Sequence, residues 1–308
     1  GEEEISSPSM PAFLRTHRER LAADAVVICD GSLLAPDLPL ISHGVRGMAY
    51  LEVEVRGPAT DLHSGTFGGA VDNPFNVLVR LLARLQDPET GRVTVPGFYD
   101  RVRPIDEEER LLLAQVPMGE EQARQLAGVC ALGGGETAFS PLERISLRPT
   151  LDIHGMPGGF TGEGKKTVIP ARALAKVSMR LVPDQDPVEI AGLFRHFLES
   201  LAPCTVTLQV RTLGTARPAS CDYRHPAVRA ADRAFSLAFG RAPVYMRGGG
   251  SLPIVPELQD VLGAPVVLMG LGLPDDNAHA PNEKLHLPTF YRGVQALVHY
   301  YALLAEDA

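Results

Sequence analysis

The sequence predicts an α/β domain interrupted by an α+β insertion that is built on an open-faced antiparallel sheet. Short apolar runs at 25–29 and 265–270, close to the two ends of the chain, are continuous and rich in β-branched residues, the pattern of strands buried on both faces. Between them, 48–56, 172–182 and 205–211 alternate apolar with polar residues, the pattern of strands with one solvated face. The expected division is 1–46 and 214–308 for the two parts of the α/β domain, with 47–213 as the insertion.

Taken in order, Ser9 can cap a helix with Pro11 in its first turn, expected to run to about residue 23. The buried strand at 25–29 ends on Asp30-Gly31. That pair suits a turn, and it equally places a carboxylate at a strand's carboxyl end. In 48–56, Leu51, Val53 and Val55 oppose Glu52, Glu54 and Arg56, which reads as a half-exposed strand. A polar loop with one histidine, 57–65, leads to a helix begun by Asn73-Pro74, with Val77, Leu78, Leu81, Leu82 and Leu85 on its apolar face. The segment 87–147 is charged, loop-rich and helical in patches, and its acidic run Asp106, Glu107, Glu108, Glu109 is expected to be a solvated face.

In 172–182, Ala175, Val177, Met179 and Leu181 line one face, and Lys176, Ser178 and Arg180 the other. Asp186-Pro187-Val188-Glu189 is a capping start, followed by a helix expected to bury Ile190, Leu193, Phe194, Phe197, Leu198 and Leu201. After Pro218 come a capped helix at 226–240, a short strand at 244–246 and the loop Arg247-Gly248-Gly249-Gly250-Ser251, whose glycines let backbone approach a ligand closely. The last helix, 288–306, is expected to bury Phe290, Val294, Leu297, Val298 and Tyr301.

A length of 308 residues suits two domains, or one with an insertion. With 45% hydrophobic and 21% charged residues there is enough apolar side chain for a real core. A net charge of −8, a pI near 5.6 and no Lys/Arg run argue against nucleic acid as a partner. No apolar run reaches membrane-spanning length, and the first residues lack a signal-peptide layout, so no membrane partner is expected. Cys29, Cys130, Cys204 and Cys221 show no C-x-x-C spacing, so free thiols and a cytoplasmic location are expected. Cys29 lies in an apolar strand, which argues against a thiol nucleophile.

The chemistry gathers at strand ends. The stretch 273–284 delivers Asp275, Asp276, Asn277, His279, Asn282 and Glu283 just beyond the run 265–270, where ligands bind in open α/β sheets. Alone, a loop histidine near carboxylates is more often a solvated or hydrogen-bonded surface group. With Glu3, Glu4 and Asp30 it makes a carboxylate–imidazole set suited to zinc, and less selectively to manganese or cobalt. A glutamate beside a ligating glutamate can take a proton from an attacking water.

Eight motifs in order carry a family resemblance: Glu3-Glu4-x-x-Ser7, Ile28-Cys29-Asp30, Gly44-x-Arg46-Gly47, Asp61-Leu62-His63-Ser64-Gly65, Lys166-Thr167-Val168-Ile169-Pro170, Arg180-Leu181-Val182-Pro183, Arg247-Gly248-Gly249-Gly250-Ser251-Leu252-Pro253 and Asp276-Asn277-Ala278-His279. Together they resemble the M20 peptidase family of zinc aminoacyl hydrolases, and most closely its branch of cytosolic nonspecific dipeptidase and carnosinase. The resemblance implies part of a phosphorylase/hydrolase-like zinc-peptidase catalytic domain, interrupted by a lid through which the protein forms a homodimer. It implies Glu3 as general base, Glu4, Asp30 and His279 as ligands of a two-zinc site, and His63 as the group that reaches the partner subunit's site and polarises the scissile carbonyl. Thr167, Arg180, Arg247 and Ser251 are implied as substrate-positioning groups, with Arg180 taking a C-terminal carboxylate. Each has a plainer role open to it: strand residue, turn former or β-former.

Two departures stand out. Gly248 occupies a position where the dipeptidases carry glutamate, which weakens the case for a free dipeptide and brings N-acyl or otherwise blocked substrates into consideration. The family's upstream His-x-Asp motif and metal-bridging Asp have no counterpart, since His17, His43 and His154 do not sit in such a motif. The chain is therefore expected to be the C-terminal portion of a longer enzyme. The competing expectations are an N-acyl-amino-acid deacylase and a non-catalytic binding or dimerisation protein with an incomplete metal site.

Overall fold

The computed structural model describes Glu2 and residues 7–306, so Glu3 and Glu4 lie outside the described residues. Among the described residues the strands are β1 (Val26–Ile28), β2 (Leu40–Val45), β3 (Gly47–Arg56), β4 (Leu62–His63), β5 (Thr150–Gly155), β6 (Val168–Ile169), β7 (Arg172–Leu181), β8 (Thr207–Ala216), β9 (Ala219–Ser220), β10 (Val244–Gly248) and β11 (Val266–Met269). They fall into two compact units: Gly1–Arg46 with Pro104–Gly119 and Pro218–Ala308, and Gly47–Arg103 with Glu120–Arg217. The second boundary lies at 217 rather than 213, and the short segment around residues 104–119 sides with the first unit although it interrupts the second in sequence.

In the first unit the sheet order is β1-β11-β2-β10, with β9 also on β2. β1 is parallel to β11, β2 is antiparallel to β11, and β10 is parallel to β2. Ile41, Val267 and Met269 pack against the helices Pro226–Phe239 and Leu287–Glu306, through small residues such as Ala230, Ala231 and Ala234 that let the helices lie close. Val45, Val266 and Leu268 form a second cluster with Val255 of the helix Ile254–Leu262. Sandwiched in this way, β11 is buried throughout, as its unbroken apolar run requires. β1 has the same composition but is an edge strand and is only half-buried.

Three sequence expectations change here. The first helix is Met10–Thr16 rather than a helix to residue 23, and Ser9 makes no cap bond because its hydroxyl and amide both donate to Glu2. The last helix turns a different stripe inward: Thr289, Gly293, Ala296, Tyr300 and Leu303 are buried, whereas Phe290, Val294, Val298 and Tyr301 are 39–65% exposed. Gly293 receives the Leu271 side chain, which a Cβ there would meet at 2.3 Å, and Ala296, Tyr300 and Leu303 join the core on the same stripe. The acidic run is exposed at Asp106, Glu107 and Glu108, as expected, but it is more than a solvated face. Asp106 caps the helix Glu107–Ala114 by accepting from the Glu109 amide at 2.7 Å, Glu108 pairs with Arg224, and Glu109 pairs with Arg247. Carboxylates in a first turn suit the positive end of a helix, and here two arginines complete the match.

His43 on β2 is 4% exposed and titrates far from its ordinary range. Burial, then the Arg247 guanidinium, push it down to about 4, against an opposing pull from Asp106. The unfolded chain takes up this proton near pH 6.5 and the folded one does not, so stability is complete above that pH and drains away as pH falls toward 4. The loss is on the order of 3 kcal/mol. Urea unfolding at several pH values, compared between wild type and His43→Gln, isolates it as a difference that grows below pH 6.5.

The second unit holds a four-stranded antiparallel sheet, β5-β7-β3-β8, and the pair β4-β6. β3 pairs with β7 along its whole length, from Gly47↔Leu181 to Arg56↔Arg172. Ala49, Leu51, Val53 and Val55 of β3 and Ala173, Ala175, Val177, Met179 and Leu181 of β7 face a core closed by the helices Pro74–Leu82 and Pro187–Leu201. Asn73 caps the first helix by accepting from the Phe75 amide, and Asp186 caps the second by accepting from the amides of Val188 and Glu189. The other face is polar but not half-exposed as expected. Glu52 lies between Lys176 and Arg211, directly across in register, and Glu54 pairs with Arg56, so both glutamates are buried.

Candidate active site

The predicted site residues divide between the units. In the first, Asp30 and the loop carrying His279 follow the carboxyl ends of the parallel neighbours β1 and β11, and both side chains are exposed. The strand ends stay joined beyond the sheet. The Gly272 amide donates to the Gly31 carbonyl at 3.0 Å, and the Leu33 amide to the Gly272 carbonyl at 2.7 Å. Gly270 makes this approach possible, because a Cβ there would lie 2.1 Å from the Gly31 carbonyl carbon.

Asp276 then shapes the loop from within. Buried, it accepts from the Leu273 amide at 2.6 Å and from Lys284 Nζ at 3.0 Å, while its own carbonyl accepts from the Lys284 amide at 2.9 Å. Inside this closure Asn277, His279 and Asn282 adopt left-handed φ values of 57, 62 and 63°. Such a conformation costs a non-glycine residue about 1 kcal/mol or more, and it persists where surrounding contacts impose it. The signal for Asp276 was its place in the run Asp275-Asp276; its structural use could not be read from spacing.

Asp30 and His279 have the donor chemistry that zinc prefers, a carboxylate and an imidazole at adjoining strand ends. Among the described residues no group of three or more His, Cys, Asp or Glu side chains is placed to hold a metal ion, and the expected ligand Glu4 and general base Glu3 lie outside them.

Arg247 stands in the last residues of β10 and Ser251 follows its carboxyl end. Because β2 and β10 run opposite to β1 and β11, that strand end leaves the sheet on the side opposite to Asp30 and Gly270. Arg247 is mostly buried and already paired with Glu109, a partner that the sequence reading missed because the two are far apart in the chain. A Cβ on Gly248 would meet the Gly44 carbonyl oxygen at 3.3 Å, so this position is close-packed as well as side-chain-free.

In the second unit, β4 and β6 bring His63 and Thr167 together, with His63 opposite Val168. His63 starts the short helix Ser64–Phe67, and its Nδ1 accepts from the Gly65 amide at 3.1 Å. A neutral imidazole that accepts at Nδ1 carries its proton on Nε2. That nitrogen is 3.4 Å from Thr167 Oγ1, a long contact, and the side chain is exposed. The Ser64 amide donates to the Thr167 carbonyl at 3.1 Å, and Asp61 accepts from the Ala171 amide at 2.9 Å, so the histidine loop is fixed to the segment before β7. Arg180 stands on the polar face of β7.

The model of the peptidase dimerisation domain matches residues 43–206, more than half of the chain. The chain belongs to the M20 peptidase family. The Cys-Gly metallodipeptidase DUG1 of Saccharomyces cerevisiae is 32% identical over 296 residues, which cover 92% of this chain and 59% of that protein. The Beta-Ala-His dipeptidase of Homo sapiens is 32% identical over 316 residues, or 99% of this chain and 61% of that protein. Among solved structures, human carnosine dipeptidase 1 superposes with a TM-score of 0.83 at 31% identity over 99% of this chain and 64% of that one. An M20 family metallo-carboxypeptidase from Sulfolobus solfataricus gives 0.87 at 29% identity over 98% of this chain and 68% of that one. The chain thus spans about three fifths of the length of its curated M20 relatives. Among the described residues no helix is long and apolar enough to cross a membrane.

Proposed function

We propose that this protein is a zinc-dependent hydrolase of small peptides, cleaving dipeptides or comparable amides in the cytoplasm as a homodimer formed through the unit that contains β3 to β8. The observation that carries the reading is His63, whose Nδ1 is occupied by the Gly65 amide so that Nε2 offers a proton outward. A donor fixed in this way suits the oxygen of a carbonyl under attack. Glu4, Asp30 and His279 would supply this chain's share of the ligands of a two-zinc site, with manganese or cobalt as substitutes. Bound there, the metal supplies a Lewis acid and water that ionises near neutral pH. Glu3 takes the proton of the attacking water and returns it to the leaving amine, while Arg180 pairs with the substrate's C-terminal carboxylate. Thr167 positions the rest of the substrate, whereas Arg247, committed to Glu109, and Ser251 leave the sheet on the side opposite to Asp30 and take no part.

Zinc is expected in the purified protein by elemental analysis. Chelation with 1,10-phenanthroline is expected to bring turnover of a free dipeptide to background, and added zinc to restore it; turnover that survives chelation would overturn the reading. A second reading rests on Gly248. With no carboxylate at that position, an N-acyl amino acid, which has no free ammonium to neutralise, is the alternative substrate. Comparing a dipeptide with its N-acetyl form separates the two.

A further inference from the structure

The polar face of the four-stranded sheet carries side chains that none of these roles uses. In β7 the core takes Val177, Met179 and Leu181, so Ser178 and Arg180 stand together on the opposite face, about 7 Å apart along the strand. Tyr50 of β3 and Asp152 of β5 lie directly across from Ser178. His154 is the extra residue of a bulge: Ile153 pairs with Val177 and Gly155 with Lys176, which leaves His154 outside the ladder. A bulge re-aims the side chain it carries. Here it turns the imidazole onto the face shared by Tyr50 and Ser178, with Nε2 2.7 Å from Ser178 Oγ and the ring stacked on Tyr50 at 5.3 Å and 10°. Ser178 is 3% exposed beneath this arrangement, whereas His154 is exposed, so the outer face of its ring is open.

Holding two rings in one geometry at a sheet edge costs rotamer freedom, which one hydrogen bond and one stacking contact, about 1 kcal/mol each, barely offset. The sheet core gains nothing from it, because the rings lie on the polar face, opposite to that core. A flat open ring face next to a cation is, however, the chemistry that receives a planar group. We propose that Tyr50, His154 and Ser178 form a subsite for a planar substrate side chain, an aromatic ring, imidazole or guanidinium, beside Arg180. This rests on the reading of Arg180 as the anchor of the substrate's carboxylate. One strand repeat between anchor and ring platform matches the span from the carboxylate to the ring of a single residue, so the subsite reads the C-terminal residue of a dipeptide.

Glycyl-phenylalanine and glycyl-glycine test it with the full chain. In wild type, KM is expected to be lower for glycyl-phenylalanine. His154→Ala should raise the ratio of the two KM values, phenylalanine to glycine form, about tenfold, and His154→Phe, which keeps a ring without the Ser178 bond, should recover most of the preference. A purely structural role would shift both substrates alike, and such a parallel shift, or an unchanged ratio, overturns the subsite. Hydrolysis of neither dipeptide by wild type would instead bring down the peptidase reading, and the subsite with it. The two failures are distinguished by the wild-type rates alone.

Discussion

His63→Ala is expected to lower kcat by about 10²–10³-fold, or roughly 3–4 kcal/mol of transition-state stabilisation, with KM changed by only a few-fold. The argument runs from the ring's fixed orientation. The Gly65 amide at 3.1 Å occupies Nδ1, and a Cβ on Gly65 would sit 2.6 Å from His63 Cε1, so glycine is what lets the chain fold back beneath the ring. The remaining N–H has only the long 3.4 Å contact to Thr167, which leaves it available to an incoming oxygen. Because the side chain is exposed, its removal should leave the melting profile of the protein in place. Unchanged kcat would remove His63 from the mechanism. Mixing subunits asks where it acts. If His63 serves the partner's site, His63→Ala and Glu3→Gln proteins, each inactive, should together regain about a quarter of wild-type activity, since half the dimers are mixed and each has one intact site. Action within one subunit would give no recovery.

The parts of the fold legible in the sequence are those in which one physical demand decides a position. β11 is continuous and apolar because it is covered on both faces, and β3 and β7 alternate because only one face meets the helices. Asn73 and Asp186 show helix starts because the first amides of a helix need acceptors close in sequence. The last helix misled because two competing faces were both apolar, and the inward one is marked by Gly293, on which the Leu271 side chain packs. The pairing of Glu108 and Glu109 was hidden for another reason: their partners, Arg224 and Arg247, are more than a hundred residues away, and no local pattern encodes such a pairing.

The candidate site divides along the same line. Asp30, His63, Thr167 and His279 stand in short motifs whose chemistry is local, and the structure places each at a strand end or in a tight loop where a side chain is presented outward. What spacing could not convey is support. Asp276 closes the His279 loop through Leu273 and Lys284, and the β5 bulge turns His154 onto the face of Arg180. Both effects arise from backbone geometry that follows only once the strands are paired.

Glu136→Gln is expected to destabilise the protein by about 3–5 kcal/mol, the cost of removing the counter-charge that the buried Arg148 grips. Glu136 is 3% exposed and accepts at 2.8 and 3.1 Å from Arg148, a two-point grip, while Arg92 donates to it at 3.0 Å. Each arginine is further held over an aromatic ring, Arg148 4.3 Å from the Phe139 centroid and Arg92 4.1 Å from that of Tyr99. The buried guanidinium of Arg148 cannot shed its proton to escape the loss. Glutamine keeps the shape and one acceptor, so the charge is what the substitution removes. Arg92→Met, by contrast, takes away a half-exposed partner whose pairing solvent already weakens, and should cost about 1 kcal/mol. Urea unfolding of the two variants checks the ordering. Equal and small losses would mean that water reaches Glu136 and that the cluster is a surface ion pair, whereas a loss several-fold larger for Glu136→Gln would establish it as the buried tie between the segments around residues 92, 136 and 148.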